Sequence, residues 1–245
     1  MLVVNADDFG LCHGVNRGII AAHENGIVTS TSLMVRWPDA VEAADYARAH
    51  AKLGVGLHVD LGEWIYRGGE WAPLYQVVPP DDPPAVAAEV ERQLADFRRL
   101  VGRDPTHLDS HQHAHREGPL RTIAEKLAGR LGVPLRHVTP GVRYCGDFYG
   151  QTAEGEPLPE RVSADALIRC VETLGAVTQP RSPEVVELAC HPGFDTDGVE
   201  TVYSAERALE VQALCHPGVR VAVDRLGIHL VKFDEAPLAA APTKT

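Results

Sequence analysis

Only five of the 245 residues are cysteine, at positions 12, 145, 170, 190 and 215, and no two of them form a Cys-x-x-Cys pair. An odd and scattered set reads as reduced thiols rather than a disulfide framework, so the expected compartment is cytoplasmic. No apolar run approaches the roughly 20 residues of a membrane-spanning helix. The opening Met1-Leu2-Val3-Val4 runs straight into polar Asn5-Ala6-Asp7-Asp8, which does not read as a signal peptide. Positive charge is also short. Lys and Arg number 23 against 34 Asp and Glu, for a net charge of −11 and no basic run, which argues against a nucleic-acid partner. An acidic surface suits a neutral or cationic small molecule instead. No internal repeat or linker is evident.

What the chain does have is histidine, twelve in all, and 44% hydrophobic residues, enough for a sizeable core. Its length fits one large α/β barrel or two small domains. The densest stretch is Thr106–His115, Thr-His-Leu-Asp-Ser-His-Gln-His-Ala-His. Read as an extended strand, it puts His107, Asp109, His111, His113 and His115 on one face. Burying such a face without partners costs several kcal/mol, roughly, per isolated group. Imidazoles and carboxylates are ligands for divalent ions, so a metal site is one reading. A solvated turn or a hydrogen-bonded polar pocket is the other.

Strand and helix signals alternate along the chain. Leu2–Asn5 reads as a first strand, followed by a helix over Gly14–Asn25 with Gly26 as its C-terminal cap. Strands two and three read at Ile27–Val35 and Gly54–Leu61, with a helix from Pro38 to Ala51 between them. The stretch 62–84 breaks the rhythm as a long loop bearing Trp64, Tyr66, Trp71 and Tyr75. Its aromatics either stack on sugar rings or pin the loop to the core. A helix over Ala85–Val101 leads to strand four at Thr106–Asp109, and a helix over Pro119–Leu131 to strand five at Pro134–Val138. Residues 139–161 read as a second Gly/Pro-rich loop with Tyr144, Phe148 and Tyr149. A helix over Ser163–Leu174 with Ser163 as N-cap precedes strand six, Glu184–Cys190. Helices at Ala205–Leu214 and Val219–Leu226, strand seven at Ile228–Val231 and a frayed tail over Ala236–Thr245 complete the chain. Such alternation predicts a parallel sheet, as one closed or nearly closed barrel domain over 1–245, with an open doubly wound sheet as the alternative.

In either architecture ligands bind at the carboxyl ends of the strands. Asp7 and Asp8, His58, the 111–115 histidines and His191 all fall at such ends. That coincidence favours the metal reading. Adjacent Asp7 and Asp8 point to different sides, so one suits a ligand and the other a base for metal-bound water. Asp60 shares a face with His58 and is placed to orient it. Cys-His-Pro-Gly occurs at 190–193 after a strand and at 215–218 between helices. The first context suggests function for His191, and the second only a turn role for His216. Cys190 reads as a small packed residue.

Four stretches together resemble the YdjC-like carbohydrate (chito-oligosaccharide) deacetylases: Asn5–Gly10, Gly56-Leu57-His58, Thr106–His115 and Cys190–Gly193. The resemblance implies a distorted seven-stranded β/α barrel related to NodB-type polysaccharide deacetylases. It implies one divalent ion (Mg²⁺ or Zn²⁺, with Co²⁺ or Mn²⁺ as further options) held by Asp8, His58 and His111, with Asp7 as base and His191 as general acid. The related deacetylases space two ligand histidines as His-x-x-x-His, which His111 and His115 also satisfy. His113 and His115 are otherwise contacts to the substrate or to the ligands, and Asp109 or Asp195 holds an imidazole tautomer. Trp64, Phe148 and Tyr149 are candidates for contacting sugar. The implied activity is hydrolysis of the acetyl group of N-acetylated amino sugars, with no nucleic-acid or membrane partner and self-association left open. A metal-free glycosidase with paired carboxylates and a non-catalytic sugar- or metal-binding barrel are the rival classes.

Overall fold

Strand β1 (Leu2–Phe9) is buried along its entire length, on both faces. A continuous apolar run covered on both sides belongs in the middle of a parallel sheet, and that is where the computed structural model, which describes residues 1–177 and 185–237, places it. The other sheet strands are β2 (Ser30–Leu33), β3 (Gly54–Val59), β6 (Leu108–Ser110), β7 (Val142–Cys145) and β8 (Val185–Cys190). Their order is β6-β3-β2-β1-β8-β7, and every neighbouring pair is parallel. The sheet curls into a half-barrel wrapped by helices α1 (His13–Glu24), α2 (Ala40–Ala49), α3 (Pro83–Val101), α4 (Gly118–Leu131), α5 (Ala164–Val177), α6 (Arg207–Leu214) and α7 (Pro217–Arg225).

Local chemistry sets the element ends. Helix α3 starts where the Asp82 carboxylate accepts the Ala85 N–H at 3.1 Å, and stops at Gly102 in the left-handed region, φ +80°. Ser163 caps α5 by accepting the Ala166 N–H at 3.2 Å, and His216 caps α7 by accepting the Gly218 N–H at 3.1 Å, the turn role expected of it. Helix α1 ends differently from the expectation. Its C-cap is Asn25 in a right-handed conformation, and Gly26 does not take positive φ. Gly26 is needed for space: a Cβ there would lie 2.6 Å from the carbonyl oxygens of Ala22 and Leu214.

Four further segments depart from the sequence reading. The aromatic stretch 62–84 contains a hairpin, β4 (Gly62–Arg67) against β5 (Glu70–Gln76). Its turn is Gly68-Gly69 at φ +63° and +92°, the conformation tight hairpins require. Strand β7 lies within the expected 139–161 loop; its four residues are recognisable only through pairing with β8. Conversely, the strands expected at Pro134–Val138 and Ile228–Val231 shrink to single bridges, Leu108 with Leu135 and Leu2 with Leu230. The first is cut short because His137 takes φ +64° and turns the chain straight after Arg136. Among the described residues, six strands of the parallel sheet with those two bridges stand where seven strands were expected. Glu184 and most of the expected tail lie outside the described residues.

Candidate metal centre and active site

Strands β1, β3 and β8 of the parallel sheet deliver Asp7 and Asp8, His58 and, just past the last of them, His191 at their carboxyl ends. At the end of β1, Asp8 adopts φ +69°, a left-handed conformation that Asp tolerates better than most residues, and so aims its side chain back across the sheet. Asp8 Oδ1 lies 3.4 Å from His58 Nε2 and 3.2 Å from His111 Nδ1. The three ligand atoms fall within 4.8 Å of one another, and all three residues are buried. His58 Nδ1 faces Asp109 Oδ1 at 2.8 Å. Since an ionised carboxylate only accepts, Nδ1 carries a proton, and Nε2 is the nitrogen turned to the cluster, able to ligate once a cation displaces its proton. His111 Nε2 lies 3.5 Å from Glu63 Oε2, within ion-pair distance but without a hydrogen bond. The donor set and its supporting carboxylates fit a divalent cation.

The charges agree. Burial works against ionising Asp8, yet the Arg207 guanidinium and the two imidazoles hold its carboxyl well below the usual range. Burial likewise opposes Asp7 and Asp109, and Arg136 overcomes it for both. Glu63 is held low by His111 and by bonds from Thr201 and Val202 against its own burial. Burial pushes Glu187 and Glu210 up to about 7 and about 8. Four ionised carboxylates therefore share two guanidiniums, leaving two negative charges unmatched. The imidazoles answer that field: burial lowers His58, but Asp109 and Asp8 raise it to about 9, and His111 is raised by Asp8 and Glu63.

Asp7 has different partners. Arg136 grips both its oxygens, at 2.6 and 2.7 Å, and Asn5 donates to Oδ1 at 2.8 Å. The same guanidinium reaches Asp109 Oδ2 at 2.9 Å and Glu187 Oε1 at 2.6 Å. Asp7, His58 and Asp109 also lie close enough to share an ion. Their inner oxygens are already committed to Arg136 and to the Ser32 hydroxyl, which donates to Asp109 Oδ2 at 2.6 Å, so the Asp8 cluster is the better cage. His191 Nε2 lies 3.8 Å from Asp7 Oδ2, and its Nδ1 has no partner. Burial pushes its pKa down to about 4 despite the nearby Asp7 and Asp8.

A cavity of about 660 Å³ opens over these groups; Asp7, Asp8, His58, His111 and His191 line its floor, and Trp64, Trp71, His113 and Tyr149 its walls. Gln112, at φ +48°, pins the hairpin across the mouth: its amide exchanges two hydrogen bonds of 2.8 Å with the main chain of Trp64. Several expected roles change. The strand ends at Ser110 and the chain coils through His111–Arg116, so the five alternating residues do not share one face. His107 packs on Phe233 and bonds Ser32, with Gly56 leaving room for its ring. His115 turns away from the cavity and bonds the Arg136 carbonyl at 3.0 Å, which removes the His111/His115 ligand pair. Phe148 is 1% exposed and packs in the core, out of reach of a sugar. Asp60 does not orient His58; it accepts from Arg36 and Tyr75. Asp195 caps an exposed turn, leaving Asp109 as the imidazole's partner. Cys190 is a packed thiol, as expected.

Sequence reasoning missed Glu63, Arg136, Arg207 and Tyr203. Glu63 stands four residues past the end of β3, at the start of β4, so a search of the segment just beyond the strand that carries His58 could have found it. The two arginines carry no local signal.

A Streptomyces lividans family 4 carbohydrate esterase, solved with acetate, superposes with a TM-score of 0.52 at 13% identity, covering 98% of this chain and 96% of that one, which shows a shared fold. A proposed cellobiose-phosphate cleavage protein from Enterococcus faecalis V583 superposes with a TM-score of 0.73 at 26% identity, over 95% and 97% of the two chains. The chain belongs to the family of YdjC-like proteins, whose model matches residues 1–225. A chitooligosaccharide deacetylase of Serratia marcescens is 30% identical over 96% of this chain and 98% of its own length.

Proposed function

We propose that this chain is a divalent-metal-dependent hydrolase that removes the acetyl group from N-acetylated amino sugars, chito-oligosaccharides above all. The observation that carries the reading is the convergence of Asp8 Oδ1, His58 and His111 on one point beside an arginine-held Asp7. The names of the curated relatives support the substrate class. An amide is a poor electrophile, and its amine is a poor leaving group unless protonated. When bound, a divalent ion polarises the acetyl carbonyl and lowers the pKa of water toward about 7 in favourable cases. Asp7 accepts the water proton, and Arg136 keeps that carboxylate ionised and aimed. His191, whose Nε2 lies 3.8 Å from Asp7 Oδ2, passes to the departing amine the proton that Asp7 has taken from water; burial holds the resting imidazole neutral, with a pKa of about 4, so it gives that proton up readily. Asp109 holds the His58 imidazole in its ligand tautomer, and Glu63 sets a negative charge beside the far nitrogen of His111. Trp64 and Trp71 offer ring faces to the sugar. No Lys or Arg lines the cavity among the described residues, which suits an unphosphorylated sugar. Zn²⁺, Mg²⁺, Co²⁺ and Mn²⁺ all match a donor set of two nitrogens and one oxygen completed by water.

A metal-free glycosidase needs one carboxylic acid with a raised pKa. Asp7 and Asp8 are both held below the usual range by guanidiniums, which argues against that class. The test is acetate release from N-acetylglucosamine oligomers by the parent and by Asp7→Asn, with and without a chelator. Acetate should appear with metal, vanish with chelator, and fall by about 10²-fold or more in Asp7→Asn. Chelator-resistant release would overturn the metal reading, and no release from any N-acetylated sugar would overturn the deacetylase reading.

A further inference from the structure

Helix α6 carries two buried polar residues one turn apart, Arg207 and Glu210, that hold the main chain of His191 from both sides. Glu210 Oε2 accepts the His191 N–H at 2.5 Å, and Arg207 donates to the His191 carbonyl at 3.3 Å. The same guanidinium donates from Nε to the Tyr203 carbonyl at 2.7 Å and from its other terminal nitrogen to Asp8 Oδ2 at 2.7 Å. Arg207 and Asp8 are each 1% exposed. Asp8 Oδ2 is thus committed to Arg207, and Oδ1 alone is turned toward His58 and His111.

We propose that Arg207 is a positioning residue that confines Asp8 to a single ligand oxygen and ties that carboxylate to the main chain of His191. The inference rests on the divalent-cation reading of the Asp8, His58 and His111 cluster. A carboxylate free to turn offers a divalent ion both oxygens and fills a position that substrate and water need. A charge-assisted hydrogen bond on Oδ2 opposes that turn. Through its second contact the guanidinium also fixes where His191 stands relative to the ion's ligand. Its positive charge repels a cation while its geometry improves the site, so the two effects have opposite signs. A residue that only stabilised the fold would not show this split.

The test measures Mn²⁺ affinity by calorimetry and kcat for acetate release in the parent, Arg207→Met and Arg207→Lys. Arg207→Met should bind Mn²⁺ at least as tightly as the parent while kcat falls by about 10-fold or more. Arg207→Lys, which keeps a charge beside Asp8 but cannot span all three acceptors, should keep the parent's affinity and recover part of kcat. Parallel losses of Mn²⁺ affinity and kcat, or an unchanged kcat, would overturn the proposal. Should Arg207→Met not fold, crystals of the parent grown with Mn²⁺ decide: one Asp8 oxygen on the ion supports it and two refute it. A parent that binds no Mn²⁺ refutes the cation site itself, which is a separate failure from an Arg207→Met that binds Mn²⁺ with parental kcat.

Discussion

Replacing Arg136 with Met removes the cation that three buried carboxylates share. The Arg136 side chain is 1% exposed, and Asp7, Asp109 and Glu187 beside it are 3%, 0% and 0% exposed. It makes contacts of 2.6 to 2.9 Å with all three and lies over the Tyr144 ring at 5.3 Å. Removing one partner of a buried ion pair costs about 3–5 kcal/mol, because the remaining charge is left uncompensated. For a chain of this length each kcal/mol lowers Tm by about 2–4 °C, so the expected fall is roughly 6–20 °C. The effect depends on pH with a definite sign. Arg136 holds Asp7 and Asp109 below their ordinary pKa, so their stabilising contribution is complete above the unfolded value of 3.8 and is lost as pH falls through the lowered ones. The gap between parent and Arg136→Met should therefore hold its full size from neutrality down to about 3.8 and narrow as pH falls below that value. Arg136→Lys should recover only part, since one ammonium cannot span three carboxylates. Denaturant unfolding across pH measures all of this. A loss below about 1 kcal/mol, the scale of an exposed pair, or a gap that does not change with pH, would refute the reasoning.

Adding a divalent ion at 100 times its Kd should stabilise the protein by about 2.7 kcal/mol, visible as a rise in Tm of roughly 5–11 °C. His58→Gln and His111→Gln should abolish that rise. Asp109→Asn leaves the His58 tautomer unheld and should weaken metal affinity by about 10–100-fold, read by titration. Trp71 is 56% exposed, so Trp71→Ala should change stability by less than about 0.5 kcal/mol. Its effect should fall on KM for the oligomer, with kcat unchanged; an unaltered KM would remove Trp71 from the sugar site.

The alternation of strands and helices was legible in the sequence because hydrophobic period and capping are local. Asp82, Ser163 and His216 mark helix starts with their own side chains. The rule that parallel strands deliver ligands at their carboxyl ends then placed Asp7, Asp8, His58, His111 and His191 at one cavity before any geometry was known. It also misjudged the histidine run, because alternation holds only while the chain stays extended, and the backbone leaves β geometry at His111. Strand β7 and the bridges at Leu135 and Leu230 depended on partners far along the chain. What only the tertiary structure decided is how the buried carboxylates are kept ionised. Arg136 meets Asp7 across 129 residues and Arg207 meets Asp8 across 199. An ion pair leaves no periodic trace in either segment, since its energy comes from low dielectric and close approach, which exist only once the sheet has curled.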